Sequence, residues 1–123
     1  MVALLGAMTS GFAQTVTLSL DTNVINIGAP VGLHIHADRD IEQGYGTFGW
    51  PAWKDTLPGG LEILRREALD TIAVTAEDGR DLIRVSQTLW VTSWDSGFRA
   101  IPPVELLWLE APLLSHPLLV EVL

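Results

Sequence analysis

The chain has 123 residues, with 15 Asp and Glu against 7 Lys and Arg, a formal net charge of -8 and a pI near 4.6. That length suits one domain with one hydrophobic core, and the acidic balance argues against nucleic acid or an anionic membrane surface as partner, because both need clustered Lys and Arg. Lys54 is the only lysine, and the absence of cysteine excludes disulfides, thiolate zinc sites and a Cys nucleophile.

Met1 to Ala13 reads MVALLGAMTSGFA and carries no charge. Val2 to Met8 is an apolar run, and Gly11-Phe12-Ala13 has small residues at both positions that signal peptidase reads. This predicts the back half of a secretory signal peptide over 1–13 and a mature domain over 14–123, hence a periplasmic or secreted location. Thr15 to Leu20 alternates, with Val16, Leu18 and Leu20 on one face, as a half-buried strand does. Asp21-Thr22-Asn23 has turn chemistry. Val24 to Ile27 is a short strand, and Val31 to Ala37 alternates again. Asp38 to Gly60 is rich in Gly and Pro and reads as a long loop with a short strand near Thr47 to Trp50. Leu61 to Asp70 fits both a helical face and a strand.

Asp78-Gly79 is a two-residue hairpin signal. With Glu77 opposite Arg80, Val74 falls opposite Ile83 and Ile72 opposite Val85, which puts the apolar pairs on one face. Asp81 to Trp94 is a long strand, and Asp95-Ser96-Gly97 turns the chain. Phe98 to Ile101 and Val104 to Leu109 are strands broken at Pro102-Pro103. Glu110 to Leu114 reads as a turn and Leu118 to Leu123 as the final strand. The pattern predicts an all-β fold, an immunoglobulin-like antiparallel β-sandwich of about seven or eight strands. The apolar run from Ile101 is interrupted by Glu105, Glu110 and Glu121, so it is not a membrane span.

The second half carries a longer pattern. After the Asp-Gly hairpin come Trp94-Asp95-Ser96-Gly97-Phe98, then Ile101-Pro102-Pro103-Val104-Glu105-Leu106, then Ser115-His116-Pro117-Leu118-Leu119-Val120-Glu121-Val122. This resembles the repeated β-sandwich domain of the BatD, or aerotolerance (oxygen-tolerance), family of bacterial envelope proteins. The resemblance covers most of Gln14 to Leu123. It implies a non-catalytic interaction module making protein–protein contacts in the envelope, with no catalytic residues and no cofactor to carry over. Proteins of that family usually hold several such domains and a C-terminal membrane helix. The resemblance therefore also leaves room for a longer parent protein anchored to the inner membrane.

Two sets of side chains could carry more specific chemistry. His34, His36 and Asp38 stand at i, i+2 and i+4 of a strand, so all three share one face, and His and Asp are competent zinc ligands. Alternation explains them equally well as the solvent face of a half-buried strand. The tryptophans are the other set. Trp90 and Trp94 share parity with Arg84, Ser86, Thr88 and Thr92, while Ile83, Val85, Leu89 and Val91 take the core side. Exposed indoles suit a protein hot spot or sugar stacking, so Trp50, Trp53, Trp90 and Trp94 are candidate partner-binding residues. A carbohydrate-binding module is the alternative function. Against both stands packing: Trp50 and Trp53 would plug one end of the sandwich, and Trp90 and Trp94 would be covered. There is no G-x-S-x-G elbow, no carboxylate pair suited to glycoside cleavage and no phosphate loop.

Overall fold

Alternation of apolar and polar residues becomes extended chain, and among the described residues every regular element of the computed structural model is a strand. The structure describes residues 14–41, 48–108 and 111–123, so the signal-peptide expectation for Met1 to Ala13 lies outside the described residues. In chain order the strands are β1 Gln14–Leu20, β2 Val24–Ile25, β3 Val31–Asp40, β4 Phe48–Gly49 and β5 Glu62–Arg66. They continue with β6 Asp70–Thr75, β7 Asp81–Thr92, β8 Gly97–Ile101, β9 Glu105–Trp108, β10 Ala111–Leu114 and β11 Leu118–Val122.

The first sheet runs β1-β3-β7, with β5 and β6 following one another along the far edge of β7. All its pairings are antiparallel. The second layer is one long hairpin seen in two halves. β8 pairs β11 through Leu118↔Ile101, and β9 pairs β10 through Leu114↔Glu105 in the same register. The interruption has a covalent cause. Pro102, Pro103 and Pro117 have no N–H to give to the ladder. Ser115 spans the gap: its N–H donates to the Val104 carbonyl at 3.0 Å, and its hydroxyl accepts the Val104 N–H at 2.8 Å. β2 adds to β11 in parallel and β4 adds to β9 antiparallel.

Eleven segments therefore occupy seven strand positions, because four positions are broken in two: β1/β2, β5/β6, β8/β9 and β10/β11. Their order, first-second-fifth-fourth in one sheet and third-sixth-seventh in the other, is the immunoglobulin arrangement. The inner faces share one core. Val16, Leu18, Leu33, Ile35, Leu89 and Val91 of the first sheet meet Ile25, Ile101, Leu106, Trp108, Val120 and Val122 of the second. Burying such side chains stabilises by about 1.5–3 kcal/mol each, which offsets the entropy of ordering the strands.

The open choice over Leu61 to Asp70 resolves as strand: β5 covers Glu62–Arg66, with a bulge between Ile63 and Arg65. Two expectations need correction. Residues 111–114 are not a turn but β10. The hairpin about Asp78-Gly79 closes one residue away from the expected register. Ala76 N–H donates to the Arg80 carbonyl at 2.8 Å, and Gly79 N–H donates to the Ala76 carbonyl at 2.9 Å. Gly79 alone, at φ 87°, supplies the left-handed residue of a three-residue loop, and the Asp78 carboxylate accepts the Arg80 N–H. The ladder then reads Val74↔Leu82, Ala73↔Ile83, Ile72↔Arg84 and Thr71↔Val85. A slip of one residue moves a strand's side chains to the opposite face. Ile72 and Val74 consequently lie on the outer face, and Ile72 is exposed.

Candidate functional site

The pairing of β3 with β7 fixes what stands on the outer face of the first sheet. His34 lies opposite Thr88, His36 opposite Ser86, Asp38 opposite Arg84 and Gly32 opposite Trp90. His34, His36 and Asp38 do share one face, as their spacing requires. They do not converge on a common point, because each is engaged differently. Asp38 receives Arg84 Nε at 2.8 Å and Nη2 at 3.0 Å, a two-pronged ion pair across the strands. That pairing raises the Arg84 guanidinium further above its ordinary range. His34 Nε2 lies 2.7 Å from Asp21 Oδ1, and His34 Nδ1 lies 2.9 Å from the Thr88 hydroxyl. Since an ionised carboxylate only accepts, Nε2 carries the proton that meets Asp21. The His34 bond holds the Asp21 carboxyl below the usual carboxylate range. His36 Nδ1 is buried without a hydrogen-bond partner, and burial, followed by the Arg84 charge, holds its imidazole below its ordinary value. Among the described residues no group of three His, Cys, Asp or Glu side chains is placed to hold a metal ion.

The chain Asp21–His34–Thr88 was not legible in the sequence, because Asp21 sits past the end of β1 and reads as a turn residue. Gly32 joins this chain through its backbone, its N–H donating to Asp21 Oδ2 at 3.2 Å. A Cβ on Gly32 would stand 2.5 Å from that oxygen, so glycine is what admits the carboxylate over the strand. The set acts as a latch that ties the turn after β1 to β3 and β7.

The four candidate tryptophans separate into two pairs. Trp50 and Trp53 pack against the core, and both indole N–H groups donate to Gln87 Oε1, at 2.7 and 2.8 Å. Gln87 in turn donates to the Glu67 carbonyl at 2.9 Å. Gln87 is on the inner side of β7, opposite Ile35, so this polar group closes one end of the sandwich with two aromatic lids. The outer flank of Trp53, with Leu57, Pro58 and Pro102, lines an apolar cleft of about 190 Å³.

Trp90 stands on the outer face as its parity predicts. Its N–H donates to Glu67 Oε2 at 2.7 Å, and the Arg65 guanidinium lies 5.5 Å from its ring centre. One side of that ring is therefore occupied by a cation. Trp94 lies beyond β7, is 61% exposed, covers Gly28 and donates its N–H to Glu62.

Sequence reasoning passed over a second surface, the outer face of the β8–β11 layer. Phe98 is 67% exposed and Leu119 54%, with Val24 beside them around a shallow depression. Leu107 and Leu114 continue the exposed apolar surface on β9 and β10. The signal was present in part: Phe98, Leu107 and Leu119 hold the outward parity once Ile101, Leu106 and Val120 are assigned inward, whereas Leu114 faces outward through its pairing with Glu105. Among the described residues Glu105 and Glu121 place carboxylates on this face.

No protein-family model, curated protein or solved structure matches the chain. No helix among the described residues is long and apolar enough to cross a membrane.

Proposed function

We propose that this domain is a non-catalytic interaction module of the bacterial envelope, BatD-like in kind, which engages a protein partner through the outer face of the β8–β11 layer. One observation carries the reading. Val24, Phe98 and Leu119 are exposed around one shallow depression on β2, β8 and β11, with Leu107 and Leu114 exposed further along the layer on β9 and β10, and exposed apolar surface of this kind marks an interaction site. Glu105 and Glu121 lie among them, so the partner's surface is apolar with Lys or Arg placed to meet those carboxylates. Photo-crosslinking in the periplasm tests this. A crosslinker at position 98 or 119 gives a discrete protein adduct that one at Thr17, on the other sheet, does not. Equal adducts from all three positions, or none, would overturn it.

One observation favours carbohydrate as a second ligand class: the exposed Trp94 ring, oriented by Glu62. Sugar stacking on that ring requires that Trp94→Ala abolish retention on glycan arrays, and unchanged retention removes this reading.

A further inference from the structure

We propose that β6 pairs edge to edge with β6 of a second copy of this chain, giving a two-fold dimer whose first sheet runs through both copies. The inference concerns the opposite sheet from the partner face above and does not depend on it.

The two halves of the sheet edge differ in cover. The β5 half is closed by the segment before it. Thr56 bridges to Glu62, Ile63 N–H donates to the Asp55 carbonyl at 2.7 Å, and Arg66 donates to the Trp53 and Lys54 carbonyls at 3.2 and 2.9 Å. The β6 half has β7 on one side and no strand on the other among the described residues. Its residues are exposed except Val74, which is half-buried.

The free groups on this edge can be assigned. Ala76 directs its N–H toward Arg80, that is, toward the β7 side. Backbone groups alternate along an antiparallel strand, so Thr71, Ala73 and Thr75 direct their N–H and C=O away from β7. Natural edges are usually guarded by a charge, a proline or a bulge. Thr71-Ile72-Ala73-Val74-Thr75 has none of these.

The occupant follows from symmetry. A two-fold axis through Ala73, perpendicular to the sheet, keeps outer faces together. It sets Ala73 against Ala73 of the second copy, Ile72 against its Val74, and Thr71 against its Thr75. β-branched residues meet on the outer face, and threonine and alanine meet on the other. The outward groups of Thr71, Ala73 and Thr75 then form about six backbone hydrogen bonds by ladder geometry. Centring the axis on Ile72 yields about four by the same geometry and sets Asp70 against Val74. Two chains of charge -8 repel. This stretch is free of charge, and its flanking Asp70 falls opposite Ala76 rather than another carboxylate. Association should therefore strengthen as salt screens the remaining repulsion.

The experiment is sedimentation of the full chain, combined with cysteine crosslinking, which is clean because the chain has no cysteine of its own. The expected result is a two-chain mass at high protein concentration, and Ala73→Cys forming an intermolecular disulfide roughly tenfold faster than Thr17→Cys, since pairing holds the two positions at an effective concentration far above bulk. Ala73→Pro removes only an outward N–H, so it should return the protein to a single-chain mass with an unchanged circular dichroism spectrum. If Ala73→Pro unfolds the domain, the crosslinking rates decide alone. A single-chain mass for the parent protein, equal disulfide rates, or a dimer lost in Phe98→Glu but retained in Ala73→Pro would each overturn the proposal.

Discussion

The two outer faces of this sandwich are built from the same kind of alternating strand and end in opposite chemical states. On the first sheet several outward polar side chains are committed to one another: Asp38 to Arg84, His34 to Asp21 and Thr88, Trp90 to Glu67 and Arg65. On the β8–β11 layer the outward side chains include Phe98, Leu107, Leu114 and Leu119, which are exposed among the described residues, with Glu105 and Glu121 beside them. Polar groups that satisfy one another within a sheet leave little to offer a partner. Apolar side chains left in water retain the free energy that a partner could release, about 25 cal/mol per Å² covered. That difference is the reason for proposing the β8–β11 face, rather than the outer face of the first sheet, as the partner surface.

The largest expected effect comes from the core that both layers share. Leu89 is fully buried on the inner side of β7. Leu89→Ala should destabilise the domain by about 2–5 kcal/mol, the range for a buried leucine that leaves a cavity. Phe98→Ala removes a larger side chain, yet should change stability by less than about 0.5 kcal/mol, because its ring is already in water. Urea denaturation of the two variants checks this. A Phe98→Ala loss comparable to that of Leu89→Ala would mean that the apolar face packs against something within the chain, and the contrast between faces would collapse.

The middle effect lies on the polar face. Asp38 and Arg84 are paired twice, but Arg84 remains partly exposed to solvent. Asp38→Ala should therefore cost about 1 kcal/mol or less, since water screens the pair. A double-mutant cycle with Arg84→Ala isolates the coupling. A coupling near zero would leave the outer face of the first sheet polar without being self-satisfied.

Much of this contrast could be read from parity. Val16, Leu18, Leu33, Ile35, Leu89 and Val91 were assignable inward from alternation alone, and each is buried. The same argument placed Trp90 outward. Parity failed where a loop's length set the register. Asp78-Gly79 is compatible with both a two-residue and a three-residue connection, and only the bonds of Ala76 decide between them. That single residue moved Ile72 and Val74 to the outer face. Long-range partners were beyond reach for another reason. Asp21 meets His34 and Gln87 meets Trp50 and Trp53 only after sheets have formed, and no local spacing encodes such meetings. Ile101 and Val104 both face the core although they lie three apart, because Pro102-Pro103 switches the parity between them.

The smallest effect tests how closely the polar face is packed. His36 faces Thr17 on β1 and Ser86 on β7, with Arg84, Asp38 and His34 as its charged or titratable neighbours. Burial, then Arg84 and more weakly His34, disfavour the imidazolium, and only Asp38 favours it. The folded pKa is thus depressed, so in the window below the ordinary imidazole value, about 6.5, the unfolded chain binds more protons than the folded one. Stability is then full above that value and declines as pH falls toward the depressed folded value. His36→Gln removes this titration and should flatten the decline between about pH 7 and pH 5. Asp21, whose pKa is also lowered, loses its contribution only at more acid pH, as the carboxyl itself protonates, and so does not confuse the comparison. Denaturation midpoints of parent and variant at three pH values across that window give the answer. Parallel slopes would mean that His36 is solvated in the folded domain, and that the polar face is looser than its hydrogen bonds imply.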